Sequence, residues 1–443
     1  MNLSKQTTQP ESMGAAPQDS DLSPLCGVGC TPSPASWEKQ RPVDQLPGSP
    51  GLDSPRARLR SYIIVIYITV AVATGLNLLT PLYGIYRRAF GFSALTLTLI
   101  FAAYVVTIIP AMLIFGPLAD AFGRRRILLI ALLTAALGAV LLLAASSTPW
   151  LFAARVAQGL AFSAVAGAGA AALLELGNNS KKTAFVIAAS MNGGIALGPV
   201  LAGILAQYAP APRTLVYIVY LVLLVPAFIG VFSMVEPLAP ASRRPFRPHR
   251  PGLPTNGKTA FLIATAVAAF AFGSPALFLS VVPSFLAGLL HTTNTALLVA
   301  PVGLFLGMGT IAPIVLHALP ARRAAIIGSL LNVIGLVATL YATSIGSIPL
   351  LLIAAFVGGS GVGLTFVSSL SFINQLISQA ERGDVFGTFY ALIYIWFGGT
   401  ALAVGLLTGP IGLTAAVRGV AVVVVALCLI AVAAITRLPR TAS

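Results

Sequence analysis

Few residues in this chain can do chemistry, and one arginine stands apart. Arg155 lies inside an apolar run, with Gln158 three positions later on the same face of a helix. A charge in such a place is costly unless its neighbours satisfy it. A structural Arg155 bonds to nearby backbone carbonyls and Gln158; a functional one relays a proton or meets an anion. The acids form a second group. Beyond the N-terminal tail they are Asp120, Glu175, Glu236, Glu381 and Asp384, each at the edge of an apolar run. Glu175 has two readings: a proton carrier, or the partner of Arg124 or Arg126 in an ion pair that locks a gate. Separating such a pair on opening couples access to protonation. No nucleophile–base constellation stands out. His249, His291 and His317 fall in loops without the company a metal needs, so no metal site is expected. No G-x-x-x-x-G-K-[ST] loop is present, which argues against direct use of ATP, and no cofactor is implied.

Membrane helices must position these groups. Hydrophobic residues make up 57% of the 443 and charged residues 8%, against roughly a quarter charged in globular chains. Mean hydropathy is +0.94. This balance excludes a soluble enzyme, a nucleic-acid-binding domain and a disordered scaffold. A transmembrane β-barrel is excluded too, because the runs are apolar on every face rather than alternating. Apolar stretches give twelve candidate spans: 61–83, 94–117, 127–145, 150–174, 183–206, 215–235, 260–282, 295–316, 324–343, 349–377, 385–409 and 415–436. Each is near the ~20 residues a helix needs to cross the hydrocarbon core.

The net charge of +15 sorts by side. With the N-terminus inside, eighteen Lys and Arg from Arg56 onward fall in inside segments, while Arg87, Arg88, Arg213 and Arg418 fall outside. Positive loops stay cytoplasmic, so both termini are expected there. Residues 1–58 carry nine prolines and many Ser, Gly and Gln, and read as a disordered cytoplasmic tail. No apolar core follows a basic start, so this is not a secretory signal. Cys26, Cys30 and Cys428 cannot form a disulfide framework. Residues 59–235 hold six spans and 260–436 another six. A basic, proline-rich cytoplasmic linker, 236–259, joins them, and 437–443 form a short cytoplasmic tail. Two equal halves suggest a duplicated transporter with its substrate site between them.

Three motifs sharpen this. The loop after the second span reads Gly116-Pro-Leu-Ala-Asp-Ala-Phe-Gly-Arg-Arg-Arg126. It resembles the G-x-L-x-D-x-x-G-R-[RK]-[RK] signature of the major facilitator superfamily. Gly116 and Gly123 allow a tight turn and close packing. Asp120 can offer negative charge to a helix N-terminus or an arginine, and Arg124 and Arg125 hold the loop inside. Arg155-Val-Ala-Gln-Gly159 is similar to the family's R-x-x-Q-G. In the fifth span, Gly194-Ile-Ala-Leu-Gly198-Pro199-Val-Leu-Ala-Gly203 resembles a motif found mainly in its exporters, departing at Ala202 and at Phe185. Gly194 and Gly198 let another helix approach, and Pro199 is expected to kink the span. The loop ahead of the ninth span, His317 to Arg323, keeps the arginines but lacks the acid and glycines. Glu381-Arg-Gly-Asp384 is similar to the E-R-G that often precedes the eleventh span.

The resemblance covers residues 61–436. It implies an all-α, polytopic membrane protein with twelve transmembrane helices in two pseudo-symmetric six-helix bundles. The activity it implies is proton-coupled export of small amphipathic molecules or drugs by a monomer in the bacterial inner membrane, with no nucleic acid involved. Import of a metabolite or organic anion met by Arg155 is the alternative; outside transport, it is a transporter-like sensor. Drug exporters often place a carboxylate in a lining span. Here the first span offers Asn77, Thr80 and Tyr83 instead, and the second Tyr104. The other polar or aromatic candidates for the cavity lining are Gln158, Asn192, Asn332, Asn374, Gln375, Tyr390, Tyr394 and Trp396.

Overall fold

The structure, a computed structural model, describes residues 54–238, 245–246, 252–290, 294–377 and 382–437. Cys26, Cys30, His249, His291, Glu381, most of the expected tail and much of the linker lie outside the described residues. Gly48–Ser443 forms one compact unit.

Among the described residues every regular element is helical, and twelve spans are long and apolar enough to cross a membrane. The first is built from α1 (Pro55–Leu76), a 3₁₀ turn (Thr80–Leu82) and α2 (Tyr83–Phe90). The next five are α3 (Ala94–Phe122), α4 (Arg124–Leu143), α5 (Thr148–Leu176), α6 (Ser180–Tyr208) and α7 (Pro212–Ser233). The seventh comprises α8 (Lys258–Ala271) and α9 (Gly273–Leu290). The last five are α10 (Thr295–Val315), α11 (Ala321–Ile345), α12 (Ile348–Leu376), α13 (Arg382–Ile411) and α14 (Leu413–Arg437).

The first span is not the single helix expected over 61–83. α1 starts at Pro55, inside the expected tail, and stops at Leu76; Asn77 leaves the helical region at φ −114, ψ 10. Pro81 has no N–H to continue an α-helix, and it sits in the 3₁₀ turn instead. The seventh span breaks at Phe272, so each half begins with an interrupted span.

Helices of each half pack on one another: α1 on α5, α6 and α7, and α11 on α12 and α14. The halves meet where α3 lies along α13 and α6 along α10. Ala276, Leu279, Val299, Val302, Phe397 and Ala401 of the second half belong to the same buried core as the first half. All six lie at or beyond the midpoint of their spans, measured from the end that carries Arg124–Arg126, here termed the basic end. A dry core thus joins the halves toward the far end. There Gln207 Oε1 also accepts the Thr295 N–H at 2.9 Å, a bond across the two halves.

Candidate functional site

The site grows out of the broken first span. The last carbonyls of a helix have no partner within it. At the end of α1, Gln158 Nε2 donates to Gly75 O at 2.9 Å and Arg155 Nη1 donates to Leu76 O at 2.6 Å. Arg155 Nη1 also donates to Gln158 Oε1 at 3.0 Å. Its Nε and Nη2 both donate to Tyr83 Oη, the first residue of α2, at 3.1 and 2.5 Å. Arg155 and Gln158, one turn apart on α5, therefore tie the two sides of the break together. A cation at a helix C-terminus is also favoured by the helix dipole. Arg155 is 0% exposed, and its guanidinium lies over the rings of Tyr83 and Tyr104, 5.3 and 5.2 Å from their centroids. Among the described residues no carboxylate pairs with it. Asn77 Oδ1, Thr80 Oγ1 and Tyr220 Oη are buried without a hydrogen-bond partner. Such groups call for a water or a bound molecule.

An aromatic chain carries this cluster into the second half. Phe397 on α13 lies 6.5 Å from Tyr104, 5.6 Å from Phe101, 6.3 Å from Tyr394 and 6.4 Å from Phe272. Phe272 continues to Phe366 at 5.0 Å, and Phe366 to Tyr390 at 6.2 Å. Phenylalanines on apolar helices look like ordinary packing, so sequence reasoning missed Phe272, Phe366 and Phe397. The available signal was spacing: Phe397 follows Tyr394 by three and shares its helix face.

The remaining polar candidates are scattered. Asn332 is buried; its Nδ2 donates to Ala271 O at 3.4 Å beside the second-half break, with Cys428 Sγ at 3.9 Å. Asn192 is half-buried on α6, while Asn374 and Gln375 are exposed near the end of α12. Trp396 packs on Phe270 at 5.0 Å. None of these contacts Arg155.

At the basic end, Arg124 pairs with Asp120 at 2.6 Å and with Glu175 at 2.8 Å. Asp120 keeps 38% side-chain exposure and Glu175 27%. Arg58 Nε donates to Leu176 O at 2.8 Å and so caps α5. Sequence reasoning missed the part played by Glu236. Its carboxylate accepts the N–H groups of Arg124 and Arg125 at 2.8 and 3.1 Å, capping α4 with a charge that suits a helix N-terminus. Gly123 makes this possible. Its φ is +96°, and a Cβ there would stand 2.8 Å from Glu236 Oε2. Gly116 packs against Gly167 of α5. In α6, which runs unbroken through Pro199, Gly194 lies against Val70 and Ala73 of α1, Gly198 against Thr74 O, and Gly203 against Val299 of α10. The glycine-bearing helix thus touches both the first span, close to its break, and the second half.

The Major Facilitator Superfamily profile matches residues 65–401. No curated protein sequence matches the chain. Among solved structures, the crystal structure of the human organic anion transporter MFSD10 (TETRAN) is similar in fold, with a TM-score of 0.61 at 17% identity. The alignment covers 85% of this chain and 99% of that one.

Proposed function

Because the chain belongs to the major facilitator superfamily, we propose that it is a secondary transporter that exports small amphipathic molecules in exchange for protons, by alternating access. One observation carries most weight: a fully buried arginine fastens the broken first span, and its aromatic shell reaches the second half through Tyr104 and Phe397. In this reading substrate binds between the halves beside that shell. Asn77, Thr80 and Tyr220 supply the polar contacts left open by the fold. The basic end faces the cytoplasm and admits substrate. Release requires the far-end core and the Gln207–Thr295 bond to part. Asp120 and Glu175 share Arg124 in the present state. Rearrangement that breaks one of these pairs frees a carboxylate to take a proton. The glycine face of α6 against α1 and α10 favours export, since it links the first span to the gate between the halves.

A second reading, transport of organic anions, draws on Arg155. Among the described residues its charge has no acidic partner, and a buried positive charge attracts anionic substrates. The similar human structure is described as an organic anion transporter. Flux of cationic, neutral and acidic compounds into inverted vesicles under a pH gradient tests both readings. Export in exchange for protons expects uptake driven by an acidic lumen. The anion reading expects acidic compounds alone to move, and their affinity alone to fall in Arg155→Ala. Reporter fusions after Pro149 and after Lys182 should report opposite sides of the membrane; matching signals exclude the orientation used here.

A further inference from the structure

A pocket of 310 Å³ opens at the basic end between α4 and α7, lined by Arg125, Arg126, Leu129, Val231, Phe232 and Glu236. We infer that it holds the headgroup of an anionic glycerophospholipid, whose chains run down the seam between the two helices.

The charges fit a phosphate. Arg125 Nη2 donates to Phe232 O at 2.8 Å, which leaves most of its five donors for another acceptor. Arg126 is exposed, and among the described residues no carboxylate pairs with it. Among the described residues that line the pocket, Glu236 is the one opposing charge. Both of its oxygens are already taken by the N–H groups that start α4, at 2.8 and 3.1 Å. Two guanidinium groups against one engaged carboxylate leave the pocket positive.

A free phosphate needs only the arginines; the surroundings favour a lipid. The pocket wall adds Leu129, Val231 and Phe232. On α4, the exposed Ile130, Leu133 and Leu137 follow Arg126 at helical spacing. On α7, the exposed Val225, Ile229 and Phe232 form a matching stripe. The two helices pack together, so both stripes lead from the pocket toward the middle of the bilayer. A headgroup site that opens onto an apolar seam suits a molecule that is anionic at one end and aliphatic at the other. Basic pockets between membrane helices are common places for acidic lipid headgroups. This inference needs only membrane embedding, so it stands or falls apart from the substrate and direction proposed above.

The test uses the purified full-length protein in detergent, with thermal midpoint and lipid retention by native mass spectrometry as readouts. The ligands are phosphatidylglycerol, phosphatidylcholine and inorganic phosphate. Phosphatidylglycerol is expected to raise the midpoint and stay bound, while the other two do neither. Arg126→Gln is expected to weaken phosphatidylglycerol binding about fivefold, the effect of one basic residue at an anionic surface. Arg126 is exposed, so the variant is expected to fold. Arg88→Gln removes the same charge at the far end and should bind as wild type. Equal stabilisation by phosphatidylcholine or by phosphate overturns the inference. So does wild-type affinity in Arg126→Gln, or an equal loss in Arg88→Gln.

Discussion

Tyr83→Phe removes a single oxygen and keeps the ring. That oxygen accepts from Arg155 Nε at 3.1 Å and Nη2 at 2.5 Å, next to a guanidinium that is 0% exposed. The variant strands two charged donors, while the contacts of the guanidinium with the Tyr83 and Tyr104 rings, at 5.3 and 5.2 Å, survive. A buried donor left unpaired costs about 1–3 kcal/mol. Interhelical bonds in membrane proteins measure lower, near 0.6 and at most about 1.7 kcal/mol. The two limits together give an expected loss of about 1–2 kcal/mol. A double-mutant cycle with Arg155→Ala isolates the pair from other effects of either change. Unfolding of purified protein in mixed micelles reads the stability, and flux in proteoliposomes reads the function. The coupling energy is expected to equal most of the Tyr83→Phe loss, and flux is expected to fall because the break between α1 and α2 loses its fixed geometry. Additivity within about 0.5 kcal/mol, together with wild-type flux, refutes the idea that Arg155 works by fastening that break.

Three further outcomes are expected. Asp120→Asn should impair transport while sparing expression, because it removes one partner of Arg124 from a half-exposed site rather than from the core; a normal rate in purified protein denies Asp120 a gating role. Glu236→Ala should lose about 0.5–2 kcal/mol as a lost helix cap, and Glu236→Gln should recover part of it by keeping an acceptor oxygen; identical unfolding midpoints for all three proteins exclude the cap. Gln207→Ala deletes the bond to Thr295 across the halves; a cysteine at Val302, itself buried in the joining core, should then label faster, and unchanged labelling means that the bond does not hold the far end shut.

Much of the fold was legible because hydrocarbon imposes length and apolarity on each span, and these are local properties of the sequence. The break in the first span was harder to see. Leu76 to Leu82 read as one apolar run, yet Pro81 cannot donate to Asn77 O, and Thr80 N–H fills that place at 3.1 Å instead. A proline four residues after an asparagine was the available mark. Arg155 was visible as an isolated charge, and Gln158 as its neighbour. Its main acceptor, Tyr83, was legible only as a lining candidate, because the turn that brings it back to α5 depends on the break. Glu236 was visible as an edge acid, but its contact spans 112 positions from Arg124, and no local pattern encodes such a pairing. The pairing of Arg124 with Glu175 was among the expected alternatives, since both lie at the same edge of neighbouring spans.

Proton-coupled export is tested most directly in proteoliposomes loaded with a pH-sensitive dye, by adding candidate amphipathic substrates across an imposed proton gradient. Antiport predicts that a transported compound collapses the gradient faster than leakage, with protons moving opposite to the compound, and that Arg155→Ala abolishes both fluxes. Substrate flux with no accompanying proton movement, or proton movement in the same direction as the compound, contradicts it.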